Sequence, residues 1–260
     1  VLGNLGIPNT AFGFAAGFVG EEIVRRIEEM GVKAEFIWIG DGVSRINLKL
    51  KSIDGTEING CGPVIHEGDV QKLIAKLELL QAGDVLVLAG SIPGSVPDDI
   101  YRRIMSEMSG RGIEVVVDAT KELLVNVLEY HPFLIKPNHH ELGGIFGVEL
   151  KTREDVIPYA RRMQQMGARN VLVSMAAAGA VLVAEDKSVY ETDAPKGILV
   201  NGVGAGDSMV AGFLAGWMEK KEYRHAFAMG VSAGSASAFS ERLAEKKEIM
   251  DLYRREFARS

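Results

Sequence analysis

Residues 114–118 read Glu114-Val-Val-Val-Asp118, and this run of β-branched residues decides the fold class. Similar runs rich in Val, Leu and Ile occupy residues 85–89, 133–136 and 170–174. Short runs that are apolar throughout, rather than at alternate positions, are typical of strands buried on both faces of a sheet. The sequence therefore predicts a set of buried strands.

Helical patterns lie between these strands. In the first of them Val70, Leu73, Ile74 and Leu77 recur at the spacing of one apolar helix face. The patterns cover residues 69–80, 97–108, 121–129, 141–146 and 153–166. Because strands and helices alternate, we predict right-handed crossovers and a mostly parallel sheet between layers of helices, which is an α/β fold.

Two regions depart from this alternation. Residues 33–61 contain three shorter runs, at 35–39, 45–50 and 55–58, joined by the turns Asp41-Gly42 and Asp54-Gly55. They predict a small, half-exposed antiparallel sheet. We therefore divide the chain into a body, residues 1–32 and 62–260, and a small β lid, residues 33–61. The lid either closes over a site or pairs with a second copy of the chain. Residues 206–260 have an almost entirely helical pattern.

Composition excludes several classes of protein. The 260 residues include 29 basic and 35 acidic side chains, a net charge of −6, so nucleic acid is not expected as a general partner. The most apolar stretch, residues 171–184, is shorter than the ~20 residues needed to cross a bilayer, and we interpret it as two buried strands and a turn. Cys61 has no intrachain partner, which fits a reducing cytoplasm.

The strongest local motif is Asn201-Gly-Val-Gly-Ala-Gly-Asp-Ser208, followed by an apolar helical pattern. Glycines let a backbone approach a ligand closely, and a helix that begins here directs unpaired N–H groups toward an anion. The motif differs from a dinucleotide fingerprint, which needs a third glycine at Asp207, and from a Walker loop, which needs Lys followed by Ser or Thr. A carboxylate stands where a phosphate-binding cation is expected.

Two interpretations of Asp207 follow from its position. It can accept the proton of an attacking hydroxyl while the N–H groups of Gly204, Ala205 and Gly206 hold the developing charge on a transferring phosphoryl group. It can also simply stabilise the helix dipole. The spacing alone leaves both open.

The segment Gly204-Ala-Gly-Asp-Ser-Met-Val-Ala-Gly-Phe213 resembles the C-terminal signature of the ribokinase-like, or pfkB, carbohydrate kinases. Further segments similar to motifs of this family are residues 88–93 (Leu-Ala-Gly-Ser-Ile-Pro), 117–120 (Val-Asp-Ala-Thr), 136–142 (Lys-Pro-Asn-His-His-Glu-Leu) and 173–180 (Val-Ser-Met-Ala-Ala-Ala-Gly-Ala). The resemblance covers nearly the whole chain. It implies a ribokinase-like three-layer αβα sandwich with a small β-sheet lid, and ATP and Mg²⁺ as cofactors.

The resemblance also implies roles for single residues. Asp207 matches the general base, and Gly204, Ala205 and Gly206 match the anion hole. Asn138 and Glu141 match the pair that organises Mg²⁺ through water, a role suited to oxygen ligands. The alternative for Asn138 is a helix cap after Pro137.

Four more positions match the nucleotide site. Ser174 and Gly179, with Gly204, correspond to positions that line the phosphates and ribose, and Gly234 and Ser237 fall in the helix that borders the adenine. Small residues at helix spacing also serve as packing devices, so this alternative stays open. Gly202 and Ala176 depart from the family pattern, which has Ser or Thr at the first position and Gly at the second.

The segment Val43-Ser-Arg-Ile-Asn-Leu-Lys49 resembles a strand of the phosphosugar kinases in this family. Arg45 would bind the phosphate already present on the acceptor as a bidentate donor, unless it belongs only to a charged lid face. The expected reaction is ATP-dependent phosphorylation of a phosphorylated ketohexose, fructose 1-phosphate to fructose 1,6-bisphosphate. The alternatives are tagatose 6-phosphate or fructose 6-phosphate as acceptor, or a catalytically idle sugar-phosphate sensor.

No membrane or nucleic-acid partner is expected, and the lid provides a surface for a homodimer. Members of this family begin with a strand and a glycine-rich segment that bind the sugar, and this sequence begins after both. We therefore expect the intact protein to be longer, with Val1 inside the helix that follows.

Overall fold

The computed structural model describes residues 1–49, 57–90, 92–119 and 121–258. It divides the chain into two compact units. The first comprises Val1–Ile7, Gly83–Gly90 and Gly112–Ser260, and the second comprises Pro8–Ala82 and Ser91–Arg111.

The elements alternate along much of the chain, as the sequence predicts. The strands are β1 Thr10–Ala15, β2 Lys33–Trp38, β3 Asn47–Lys49, β4 Glu57–Asn59, β5 Val85–Ala89, β6 Glu114–Asp118, β7 Leu134–Ile135, β8 Asn170–Ser174, β9 Ala180–Val183 and β10 Val189–Thr192. The helices are α1 Gly17–Glu29, α2 Glu67–Leu77, α3 Ile100–Met108, α4 Lys121–Val125, α5 His139–Phe146, α6 Arg153–Gln165, α7 Ala205–Lys220, α8 Tyr223–Ala238 and α9 Lys246–Glu256.

The first unit contains a six-stranded sheet in the order β10-β9-β8-β7-β6-β5. Strands β5 to β8 are parallel to their neighbours, and β9 and β10 are added antiparallel. Neighbouring residues such as Val116 and Val117, or Val171 and Leu172, are all fully buried, so both faces of the sheet are covered. The carboxyl ends of the parallel strands, where ligands bind in such sheets, therefore lie at one edge.

One face of this sheet packs against the C-terminal helices. Leu134 and Leu172 of the sheet share a hydrophobic cluster with Phe213 of α7 and Phe227 of α8. The two helices approach closely because α7 has Gly212, at which a Cβ atom would lie 2.5 Å from the backbone oxygen of Met229. This packing fixes the position of α7, whose N-terminus carries the glycine motif.

The second unit contains two small sheets. In the first, β2 pairs in parallel with β1, so the prediction that residues 35–39 belong to an antiparallel lid sheet is wrong. The helix α1 makes the crossover between these two strands, a connection that the sequence pattern did not reveal. In the second, β3 and β4 form the predicted antiparallel pair, with Leu48 opposite Ile58. The predicted turn Asp54-Gly55 lies outside the described residues.

Most of the predicted buried strands are confirmed at their predicted bounds. Residues 85–89, 114–118 and 170–174 are β5, β6 and β8, and residues 171–184 form the predicted two strands and turn. The prediction of a single helix over residues 121–129 is wrong. The helix α4 ends at Val125, and a separate 3₁₀ turn at Leu128–Tyr130 ends at His131, whose backbone is in the left-handed region. The division into a body and a lid at residues 33–61 stays a prediction.

The first residues form a turn rather than the predicted helix interior, with the N–H of Leu5 donating to the oxygen of Val1 at 2.9 Å. Among the described residues, no helix is both long enough and apolar enough to span a bilayer.

Candidate active site

A buried ion pair lies at the carboxyl ends of two neighbouring strands. Strand β6 ends at Asp118, and Lys136 follows β7 directly. Because Val117 pairs with Ile135, the next residues of the two strands stand side by side. The Nζ atom of Lys136 lies 3.2 Å from Oδ1 of Asp118, and only 6% of Lys136 is exposed. The sheet register thus brings together two charges that are 18 residues apart in the chain.

Further carboxylates act on this pair. Burial raises the pKa of Asp118, the ammonium of Lys136 lowers it, and the negative charges of Asp207 and Glu141 raise it further. Electrostatic effects of this kind act over short distances inside proteins, so Asp118, Lys136, Glu141 and Asp207 form one cluster. The cluster therefore combines three carboxyl groups with one ammonium.

The glycine motif forms a loop that leads into α7. Gly204 caps the helix in the left-handed region, with φ of 78°. Ala205 N–H donates to the oxygen of Gly202 at 3.3 Å, and Ser208 N–H donates to the oxygen of Gly204 at 2.8 Å. Among the described residues, no partner is found for the N–H groups of Gly206 and Asp207. These first-turn amides are free to bind an anion.

Lys136 adjoins this loop. A Cβ atom on Gly206 would lie 3.1 Å from Nζ of Lys136, so the ammonium stands against the backbone of the anion loop. The glycine motif has no cation in its own sequence, and the ammonium beside it comes from Lys136, the residue that follows strand β7.

Asn138 and Glu141 form the first turn of α5. The N–H of Glu141 donates to Oδ1 of Asn138, and the N–H of Asn138 donates to Oε2 of Glu141, both at 2.8 Å. Asn138 therefore forms the helix cap that the sequence analysis gave as its alternative role. Each carboxylate and amide oxygen accepts more than one hydrogen bond, so the same pair can also hold a hydrated Mg²⁺. The described residues contain no group of three or more His, Cys, Asp or Glu that would bind a metal directly.

Ser174 and Gly179 lie at the same edge of the sheet. The N–H of Ser174 donates to the oxygen of Pro137 at 3.2 Å, which places Ser174 beside the turn that carries Asn138. Gly179 has φ of 90°, and a Cβ atom there would lie 1.9 Å from the oxygen of Thr192. This close approach is by itself enough to require glycine at residue 179.

Gly234 and Ser237 support the anion loop from α8. A Cβ atom on Gly234 would lie 3.0 Å from the oxygen of Ala205, so glycine is needed there for helix packing. The hydroxyl of Ser237 donates to the hydroxyl of Ser208 at 2.8 Å and accepts from the N–H of Ala244 at 3.0 Å. These contacts give both residues a packing role, and their contact with a nucleotide stays a prediction.

A sequence profile of the pfkB family carbohydrate kinases matches residues 1–249. The chain belongs to the pfkB family of carbohydrate kinases. It is 44% identical over 246 residues to 1-phosphofructokinase of Bacillus subtilis, which covers 95% of this chain and 80% of the relative. It is 34% identical over 254 residues to D-tagatose-1-phosphate kinase of Bacillus licheniformis, which covers 96% of this chain and 82% of the relative.

The fold of this family member is also found among solved structures. A Staphylococcus aureus protein provisionally named a phosphofructokinase matches with a TM-score of 0.88 and 37% identity, over 97% of this chain and 82% of that one. The predictions of family and of an α/β, ribokinase-like fold are confirmed.

Sequence reasoning missed three features of this kinase site. It quoted Asp118 and Lys136 only as parts of motifs, although both follow buried strands that end at one sheet edge. It also missed an apolar surface beside the anion loop, where Leu243 lies close to Gly204. The exposed apolar residues of this surface are Ile198, Leu199, Val200, Val203 and Leu243.

Arg45 belongs to the second unit. It is exposed and precedes β3, and a Cβ atom on Gly62 would lie 3.5 Å from the Cβ of Arg45. No ion pair of Arg45 is found within the part of the chain that the structure describes. Its role toward a substrate phosphate stays a prediction, and Ser91 and Thr120 of the predicted motifs lie outside the described residues.

Proposed function

We propose that this kinase transfers the terminal phosphoryl group of ATP to the 6-hydroxyl of fructose 1-phosphate, giving fructose 1,6-bisphosphate and ADP. The observation that carries the proposal is the position of Asp207, at the first turn of α7, within one charge cluster with Lys136 and Glu141. The acceptor is taken from the similarity to the Bacillus subtilis 1-phosphofructokinase.

In the proposed reaction Asp207 accepts the proton of the 6-hydroxyl as its oxygen attacks the terminal phosphorus. The bond from that phosphorus to the bridging oxygen of ADP breaks, and ADP leaves with the electron pair. Of the predicted anion hole, the N–H groups of Gly204 and Gly206 hold the charge on the transferring group together with the N–H of Asp207, since donors fixed before the reaction need no reorganisation. The N–H of Ala205 already donates to the oxygen of Gly202. Bound Mg²⁺ would neutralise part of the phosphate charge, and Asn138 and Glu141 would hold it through water.

The remaining site residues complete the proposal. Ser174 and Gly179 line the nucleotide phosphates and ribose, and Arg45 binds the 1-phosphate of the acceptor. The apolar surface formed by Ile198, Leu199, Val200, Val203 and Leu243 adjoins the anion loop and suits the adenine base. ATP and phosphorylated sugars are cytoplasmic metabolites, which places the proposed reaction in that compartment.

Tagatose 1-phosphate is a second candidate acceptor. The observation that favours it is the similarity to the Bacillus licheniformis enzyme named for that sugar. The two acceptors are ketohexose 1-phosphates that differ in the configuration of one hydroxyl, so the proposed roles of Arg45 and Asp207 apply to either sugar.

We also propose that the β3–β4 hairpin pairs two copies of the chain. Leu48 and Ile58 stand opposite each other and are 49% and 58% exposed, and Ile46 is 60% exposed. An exposed apolar stripe on a small antiparallel pair is a surface that a second copy would cover. Sedimentation of the parent chain should show a dimer that Ile58→Glu dissociates, while Leu79→Glu, which alters an apolar residue exposed on another segment, leaves it intact.

The test of the function is the rate of ADP formation with a panel of acceptors. We expect the highest kcat/KM with fructose 1-phosphate, at least about tenfold above fructose 6-phosphate and free fructose, because a fixed cation discriminates by phosphate position. Preference for tagatose 1-phosphate would select the second candidate. Phosphosugar binding without ADP formation would replace the proposed kinase with the sensor alternative.

A further inference from the structure

Two buried hydroxyl groups lie directly behind the anion loop. Ser208 on α7 and Ser237 on α8 are 1% and 2% exposed, and the hydroxyl of Ser237 donates to that of Ser208 at 2.8 Å. Burying a hydroxyl is costly unless it is hydrogen-bonded. Elsewhere the same two helices approach each other through glycines, at Gly212, Gly216 and Gly230. The hydroxyl pair is therefore a feature that close packing of the helices does not explain.

The hydrogen bonds of this pair run in one direction. The N–H of Ala244 can only donate, and it donates to the hydroxyl oxygen of Ser237 at 3.0 Å. The oxygen of Gly204 can only accept, and it accepts from the hydroxyl of Ser208 at 2.8 Å. Each hydroxyl therefore accepts one hydrogen bond and donates one. We call this chain of four residues, Ala244, Ser237, Ser208 and Gly204, the serine relay.

The serine relay ends on the oxygen atom that begins α7. Gly204 is the N-cap, and its oxygen also accepts from the N–H of Ser208 at 2.8 Å, which is the first backbone bond of the helix. Helix ends fray readily. The hydroxyl of Ser208 adds a second bond to the same oxygen, and Ser237 anchors that hydroxyl to α8. The relay thereby holds the first turn, with the N–H groups of Gly206 and Asp207, in one orientation.

A serine that bonds to the oxygen four residues earlier is by itself an ordinary feature of helices. Ser232, fully buried on α8, donates to the oxygen of Ala228 at 2.8 Å in this way. No further hydrogen bond of its hydroxyl is found in the described part of the chain. Ser208 differs from Ser232 because its hydroxyl also accepts a bond from the neighbouring helix.

We propose that Ser208 and Ser237 are positioning residues for phosphoryl transfer, which act through the oxygen of Gly204 on the orientation of the anion loop. Neither hydroxyl contacts the substrate or exchanges a proton with it. The inference rests on the proposed function and adds to it the contacts that fix the loop's N–H groups before the reaction, as preorganised donors require.

Ser208→Ala tests the role in the active enzyme. With the acceptor that the parent prefers, we expect kcat to fall at least about tenfold, since a misplacement of about 1 Å costs up to about a hundredfold. The KM for that acceptor should not change, because the loop holds the transferring group and not the sugar. Ser232→Ala is the matched control. It removes a buried hydroxyl from α8 without touching the relay and should have parental kcat.

All variants are assayed at a temperature at which circular dichroism shows them to be folded, so a purely structural role of Ser208 predicts parental kcat. A smaller loss than tenfold in Ser208→Ala, a loss confined to KM, or an equal loss in Ser232→Ala would each overturn the proposal.

The link between the two hydroxyls is tested by a double-mutant cycle. Ser237→Ala should lower kcat at least about threefold, within the range for one lost hydrogen bond. The double variant should have the kcat of Ser208→Ala, because both changes break the same relay. A double variant whose loss is the product of the two single losses would overturn the relay. If Ser208→Ala does not fold, Ser237→Ala decides, and kcat within threefold of the parent would overturn the proposal.

Nucleotide binding separates this inference from the proposed function. If the parent transfers phosphate to no acceptor, the proposed function fails, and the relay is tested by calorimetry with the β,γ-imido analogue of ATP. Ser208→Ala should bind the analogue at least about threefold more weakly, a loss within the range for an anion at a helix N-terminus. Its affinity for AMP, which has no terminal phosphate, should not change. Equal affinity of Ser208→Ala and the parent for the analogue would overturn the relay, and a parent that does not bind the analogue would overturn both proposals.

Discussion

Asn138 and Glu141 satisfy each other's backbone N–H groups, each through a side-chain oxygen at 2.8 Å. This reciprocal pair begins α5 at the edge of the sheet where the charge cluster lies. The same two residues are the proposed holders of Mg²⁺, so a structural and a functional role coincide in one turn.

Replacing Asn138 separates the two roles when it is compared with Thr152, which forms the same kind of capping box with Asp155 at the start of α6. Asn138→Ala and Thr152→Ala should each lower the free energy of unfolding by about 1 kcal/mol, the usual value of an N-cap. Only Asn138→Ala should raise the Mg²⁺ concentration needed for half-maximal activity. Equal Mg²⁺ dependence in both variants would mean that Asn138 acts only as a helix cap and does not hold Mg²⁺.

Asp207→Asn tests the general base. We expect kcat to fall about 10²- to 10⁴-fold, the usual contribution of a positioned base. The side chain is exposed, so the unfolding free energy should change by no more than about 1 kcal/mol, the value of a charge at a helix N-terminus. Asp251→Asn, at an exposed site on α9, is the control and should have parental kcat. Turnover of Asp207→Asn within threefold of the parent would contradict the assignment.

Two glycines in helices should respond oppositely to alanine. At Gly212 the added Cβ would lie 2.5 Å from both Ala233 Cβ and the oxygen of Met229, so Gly212→Ala should destabilise the fold by about 1–3 kcal/mol. At Gly144 nothing lies within 4 Å of the added atom, and Gly144→Ala should stabilise α5 by up to about 1 kcal/mol. Thermal unfolding measures both. Similar melting temperatures for the two variants would contradict the close approach of α7 and α8.

The ion pair of Arg169 with Glu185 predicts a pH dependence. The hydrogen bond from Arg169 lowers the pKa of Glu185 below its ordinary 4.5. A lowered folded-state pKa means that the stabilisation is present above pH 4.5 and is lost as the pH falls through the folded value. Because both side chains are partly exposed, at 36% and 45%, solvent screens the pair and it contributes at most about 1 kcal/mol.

Glu185→Gln should therefore melt about 2 °C below the parent at neutral pH and together with it in strong acid. A difference that persists in acid would assign the effect to packing rather than to charge.

The sequence alone was sufficient to predict the strands that are buried on both faces, because a continuous run of Val, Leu and Ile is compatible with few other structures. It also located Asp207 and the loop at Gly204, since glycine spacing before an apolar helix is a local signal. It did not reveal that β1 and β2 pair in parallel, because pairing partners are not encoded in the pattern of either strand alone. The pair of Asp118 and Lys136 was missed for the same reason, as it depends on the register between β6 and β7.

The short strand β7 has a consequence for engineering this enzyme. The N–H of Phe133 donates to the oxygen of Val115 at 2.8 Å, and the N–H of Lys136 donates to the oxygen of Val117 at 3.2 Å, on either side of its two paired residues. A one-residue slip would turn every side chain of the strand to the other face and carry the ammonium away from Asp118. These two backbone hydrogen bonds fix the register of β7. Substitutions at Lys136 therefore change the side-chain group at this position and leave the backbone position unchanged.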